Sequence, residues 1–256
     1  MNRVPVFNAD GRPTREGLVQ GFDPRLRIAA AAAFAVVTVS LHRLDALAVM
    51  LGIAVLLALA ARLPLGPTLR RLAALDAFMA VVLLTLPFSI AGTAFLTLGP
   101  LSASWEGLFR AIEIVLKANA VVLTVLALAG TLEVVTVGHA LAALGAPRKL
   151  VHLFLLTVRY IGALRDQYAQ LRDAMRVRAF RLTASWHAWR SLGWLFGMVM
   201  VRSAERADRV LMAMKCRGYR GEMHVVAEMR LTAADWLAGA AFLGILAAVA
   251  AWGFLG

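Results

Sequence analysis

Residues 236–256 read WLAGAAFLGILAAVAAWGFLG, from Trp236 to Gly256 without one Asp, Glu, Lys or Arg. A helix needs about 20 mostly apolar residues to cross the hydrocarbon core of a bilayer, and this run is long enough. A water-facing helix of that length would show a polar stripe, and this one has none. Four more charge-free runs stand upstream: Ile28–Leu41, Ala46–Ala61, Ala77–Trp105 and Ala118–Leu132. The run Ala77–Trp105 is long enough outright. The first two become full spans if Arg25, Arg27, Arg43 and Arg62 snorkel toward the interfaces. His42-Arg43-Leu44-Asp45 makes a tight polar turn that joins them as a hairpin. The run Ala118–Leu132 extends backward through Ile112 once Glu113 and Lys117 are accepted inside the helix. Their i, i+4 spacing lets each neutralise the other.

Composition agrees with the runs. The 256 residues are 61% hydrophobic and 16% charged, against about 45–50% and about 25% in an ordinary soluble domain. The fold class read from this is an all-α integral membrane protein with about five transmembrane helices. A sixth crossing would require Val134–Leu144 or Leu150–Val158 to enter the bilayer. The segment 1–27 carries eight charged residues before the first apolar run, which is not the order of a secretory signal. The single cysteine, Cys216, excludes an internal disulfide framework and a cysteine-built zinc or iron–sulfur site.

The chain nevertheless carries a net charge of +12. Loop charge sets orientation, because basic loops stay in the cytosol. The segment 1–27 and the stretch Arg62–Asp76 are basic, whereas the turn at 42–45 and the loop from Gly99 to Glu106 are nearly neutral. The expected organisation is a cytosolic segment 1–27, transmembrane helices in 28–132, a cytosolic region 133–233 and a last crossing in 234–256. From Pro147 to Arg230 there are 16 Lys and Arg against six Asp and Glu. Most of the basic excess therefore lies in one stretch. Tyr160, Leu164, Tyr168, Leu171 and Met175 recur at helical spacing there, as do Val201, Ala204, Ala207 and Leu211. Two long cytosolic amphipathic helices are expected, over roughly 155–180 and 192–218, with a bend at Thr183–Trp189.

Both helices close on the same eight-residue pattern. Ala174-Met175-Arg176-Val177-Arg178-Ala179-Phe180-Arg181 matches Ala213-Met214-Lys215-Cys216-Arg217-Gly218-Tyr219-Arg220, with four identities and three conservative pairs. Gly218 suits a helix C-cap, and arginines in a last turn complement the helix dipole. Ordinary capping explains one such arginine. It does not explain the pattern twice, which points instead to two similar acidic sockets on a dimeric or pseudo-symmetric soluble partner.

The motifs Cys216-Arg217-Gly218 and Val177-Arg178-Ala179 resemble the paired Ala-Arg-Gly signatures of energy-coupling-factor transporter T components. Val177, Ala179 and Cys216 depart from that triplet by small or apolar replacements. Further stretches resemble the cobalt- and nickel-type members: Gly21-Phe22-Asp23-Pro24-Arg25, Leu86-Pro87-Phe88, Leu144-Gly145-Ala146-Pro147 and Val158-Arg159-Tyr160-Ile161. The resemblance runs from about residue 21 to 230. It implies a non-catalytic coupling subunit of a cobalt or nickel importer in the bacterial inner membrane. Its partners would be a cytosolic ATPase dimer that holds ATP and magnesium, and a substrate-specific membrane subunit; a small accessory membrane subunit is a further candidate. The coupling helices would cross beneath the bilayer, and the docking residues would be Arg178 and Arg217 with Val177, Ala179, Arg181, Cys216, Gly218 and Arg220. Gly193, Gly197 and the Thr183–Trp189 bend are candidate hinges.

Other chemistry has little support in the residues. There is no GxxxxGK[ST] phosphate loop and no HExxH motif. His42, His139, His152, His187 and His224 are scattered without ligand spacing, and no cofactor is expected on this chain. Methionines such as Met175, Met212 and Met214 sit where helices should pack. Glu113, Lys117 and Asn119 are intramembrane polar groups, readable as a neutralised pair facing the bundle or as an ion path. The rival readings are an ordinary ABC permease with its own substrate path and a T component for a vitamin. A membrane enzyme lacks a catalytic constellation, and a nucleic-acid binder lacks a reading module. The basic stretch also suits the anionic surface of the lipid bilayer.

Overall fold

The computed structural model describes residues 18–89, 93–98, 101–178, 180, 183, 185–219 and 233–255. After a 3₁₀ turn at Leu18–Gly21, three helices follow: α1 (Pro24–Ser40), α2 (Leu44–Ala60) and α3 (Leu65–Ser89). A short antiparallel pair, β1 (Ala94–Leu98) and β2 (Leu101–Ser104), precedes α4 (Trp105–Leu128) and α5 (Val134–Ala143). The chain continues through α6 (Arg148–Val177), α7 (Trp186–Cys216) and α8 (Ala233–Leu255). The all-α membrane architecture expected from the apolar runs is present, with one small hairpin added. Two compact units emerge, one of residues 1–140 with 228–256 and one of 141–227.

In the first unit α4 is the central helix, packed against α1, α2 and α3, while α8 lies on α1 and α2. Local sequence explains where these helices begin. The Asp23 carboxylate accepts from the Arg25 N–H at 2.8 Å, and Pro24 at the first helical position has no N–H to satisfy. Ser104 caps α4 by accepting from the Gly107 N–H at 3.2 Å. Helix α2 ends where Arg62 takes up φ 49°, the only described non-glycine residue with positive φ. The core joins Phe34 and Leu41 to Leu47, Met50, Ala120, Leu123 and Leu246. Phe34 stacks on Phe242 with centroids 6.5 Å apart. Small residues permit the tightest approaches. A Cβ on Gly107 would lie 2.7 Å from the Pro87 Cα, so α4 meets the end of α3 nearly backbone to backbone.

Among the described residues three helical stretches are long and apolar enough to span a membrane: Gly66–Phe88, Trp105–Leu128 and Ala233–Gly253. Helices α1 and α2 have 17 residues each, about 26 Å of rise, a little short of a core about 30 Å thick. The third span is displaced from its expected place. Helix α3 takes in Arg70, Arg71 and Asp76, which were expected in a loop, while the latter part of the run Ala77–Trp105 forms the β pair. Freedom from charge does not compel a helix. Gly92, Thr93, Gly99 and Pro100 are poor helix formers, so the apolar run changes structure where propensity fails. Helix α5 has ten residues, and Leu150–Val158 is the first part of α6, so neither makes a separate span among the described residues.

Candidate coupling surface and intramembrane ion cluster

The second unit is built on α6 and α7, both longer than expected toward their N-termini. The sequence placed their starts near 155 and 192; they begin at Arg148 and Trp186. Pro147 precedes the first, and Ser185 caps the second through the Ala188 N–H at 3.3 Å. The bend correspondingly falls before Trp186. Both helices keep few buried positions and many exposed charges. The pairs Arg176–Asp173 at 3.9 Å and Arg209–Glu205 at 3.8 Å are exposed and long, the kind that contributes about 0–1 kcal/mol.

Both copies of the repeated motif end a helix at their central arginine. Arg178 and Arg217 are the C-caps of α6 and α7, at φ −81°, ψ 18° and φ −91°, ψ 13°. Two residues beyond the first, the Phe180 N–H donates to the Met175 carbonyl at 3.1 Å; beyond the second, the Tyr219 N–H donates to the Met214 carbonyl at 3.0 Å. The Gly218 N–H donates to the Lys215 carbonyl at 3.0 Å, with Gly218 at φ 81°. At the second tip the Tyr219 and Gly218 bonds together form the Schellman closure that satisfies the last helical carbonyls. Val177, Arg178, Cys216, Arg217 and Gly218 are all exposed, and Cys216 is a free thiol. Among the described residues neither Arg178 nor Arg217 has an ion-pair partner. Ala179, Arg181 and Arg220 lie outside the described residues.

The tips stand at opposite ends of the helix pair. The Tyr219 ring stacks on His152, near the start of α6, with centroids 5.9 Å apart and planes at 16°. Arg178 lies at the other end of that helix. From residue 152 to 178 an α-helix rises about 39 Å, so the two arginines are on the order of 40 Å apart. Their surroundings differ. Phe180, Met175 and Arg178 line a cavity of about 440 Å³ with Trp194, Leu195 and Met198 of α7. The first tip therefore borders open space, whereas the second leans on an aromatic stack.

In the first unit the intramembrane polar residues resolve into ties between helices. Glu113 has a side chain only 8% exposed. It accepts from Lys117 Nζ at 2.7 Å and Arg110 at 2.9 Å, and contacts His42 Nδ1 at 3.0 Å. Lys117 also donates to the Val39 carbonyl at 2.8 Å, near the C-terminal end of α1. The i, i+4 pair expected from sequence is present, enlarged to a cluster that fastens α4 to the α1–α2 turn. Asn119 donates to Asp76 of α3 at 2.8 Å. Two further ties were not singled out from sequence. Buried Arg27 donates to Thr131, and the Asp23 N–H donates to the Asp235 carboxylate at 3.1 Å. Pairs separated by 104 and 212 residues leave no local pattern to read. Among the described residues no group of three or more His, Cys, Asp or Glu is arranged to hold a metal ion. His42 and His152 have the partners just given, His187 lines the cavity, and His224 lies outside the described residues.

These features define an all-α membrane protein that carries, in a second unit, two long helices tipped by equivalent exposed arginines. The family model of the cobalt transport protein CbiQ matches residues 16–226, and the chain belongs to that family. It is thus a membrane component of cobalt transport. It is 24% identical over 224 residues to the uncharacterized protein MJ1571 of Methanocaldococcus jannaschii, covering 83% of this chain and 75% of that one. It is 28% identical over 152 residues to the cobalt transport protein CbiQ of Rhodobacter capsulatus, covering 57% of this chain and 62% of its relative.

Proposed function

We propose that this chain is the coupling subunit of an energy-coupling-factor-type importer for cobalt or nickel ions, multi-pass in the bacterial cytoplasmic membrane. Helices α6 and α7 are its levers. Arg178 and Arg217 each dock in a groove of one subunit of a cytosolic ATPase dimer, where ATP and magnesium are held. Closure of the dimer on ATP moves the tips, and the levers pass that movement to a substrate-specific membrane subunit that carries the metal. The chain itself performs no catalysis.

The observation that supports this reading is that both repeats end their helices at an exposed arginine, with the same N–H to carbonyl bond across each tip, about 40 Å apart. One socket cannot take both tips at that distance; a dimer offers two. An arginine fork suits carboxylates and carbonyls at the floor of a groove. The test is co-purification with the ATPase. R178E/R217E should abolish it, since each lost docking arginine costs about 2 kcal/mol or more and reversal adds repulsion. Single reversals should weaken assembly, and the double Lys variant should restore part of it. Assembly of the double reversal at wild-type yield overturns the docking claim.

A further inference from the structure

Helix α7 has one apolar face more than its packing uses. Ala188 and Leu195 are buried on one side of its first half. On a separate side Trp186, Trp189, Phe196 and Met200 follow one another at three, seven and four residues, a single stripe of a 3.6-residue helix. These four side chains are between 60% and 84% exposed. Arg190 borders the stripe, while Trp194, also exposed, lies off it and lines the cavity with Met198. From Ala174 to Ala204 the chain has no Asp or Glu, while Arg176, Arg178, Arg181, Arg190 and Arg202 are present. Acids return only in the second half of α7, with Glu205 and Asp208.

We propose that the first half of α7, residues 186–201, is a membrane-interface helix that lies on an anionic lipid leaflet, with Trp186, Trp189, Phe196 and Met200 in the headgroup–acyl boundary. Three features select lipid as the occupant. Tryptophan combines an apolar ring with an N–H donor and favours the wet edge of the bilayer over its core or water. Arginines without neighbouring acids are attracted by anionic headgroups. An amphipathic helix with one aromatic edge and one basic flank is the pattern that lies flat in the interface. The spanning helices of the same chain also keep a bilayer at high local concentration. The inference goes beyond ATPase docking, because the stripe excludes both arginine tips.

The test uses the full chain in phosphatidylcholine vesicles with or without phosphatidylglycerol. W105F/W194F/W236F/W252F leaves Trp186 and Trp189 as the only reporters, and circular dichroism verifies its helix content. Lipids brominated near the headgroup end of the acyl chain should quench this emission about twofold in anionic vesicles, and lipids brominated near the chain terminus much less. R190E should reduce the anionic-vesicle signal to that seen in phosphatidylcholine alone. Absence of quenching, with full access to aqueous acrylamide, overturns the proposal. So does acrylamide protection that arises only when the substrate-specific membrane subunit is added, which would make the stripe a protein interface.

Discussion

The two units use charge in opposite ways. In the first, Glu113 holds Lys117, Arg110 and the His42 ring within 3.0 Å, Asn119 holds Asp76, and Arg27 holds Thr131. In the second, the described ion pairs are exposed and 3.8–3.9 Å long, and the two cap arginines face outward. Where water is scarce, an unpaired charge costs several kcal/mol, so the helices supply internal partners. Where water satisfies the charges, pairing adds little and the arginines stay available to another protein. The basic excess of the chain is thus two populations: one locks a scaffold, the other forms a surface.

The largest effect that breaks this contrast should come from the cluster. E113Q leaves Lys117, whose side chain is only 15% exposed, without its anion. It should destabilise the protein by about 3 kcal/mol, read as a lowered unfolding midpoint in detergent. E113L/K117M removes both charges and should recover most of that loss. If E113Q costs less than about 1 kcal/mol, the cluster is not a lock. A smaller effect is expected at the second tip. G218A forces a Cβ onto φ 81° and should cost about 1 kcal/mol through the αL penalty. It should weaken ATPase association, because the Tyr219 closure that aims Arg217 is strained; unaltered association would show that the closure is incidental. The smallest change lies in the scaffold. R62G relieves a positive φ of 49° and should stabilise by about 0.5 kcal/mol, whereas destabilisation would mean that the Arg62 side chain carries the turn.

What could be read from sequence follows the same division. Helices α6 and α7 were legible because amphipathic period and the repeated motif are local patterns. Their N-termini were not: Leu150–Val158 reads as a possible crossing and Thr183–Trp189 as a bend until Pro147 and Ser185 are seen to start the helices. The Glu113–Lys117 pair was legible from its spacing. His42, the cluster member from outside α4, lies 71 residues away and needed the fold to bring it in. The long apolar run after Ala77 misled, because hydropathy measures transfer to lipid and says nothing of the backbone preferences that end α3 and start the β pair.

Thiol protection shows whether both arginine tips enter the ATPase at once. Cys216 is the only cysteine and adjoins Arg217; V177C in a C216V background places an equivalent thiol beside Arg178. Each variant, in membranes, is labelled with a polar maleimide before and after assembly with the ATPase dimer. The account predicts that both thiols react freely alone and that both become protected in the complex. Protection of one tip with undiminished labelling of the other would contradict it.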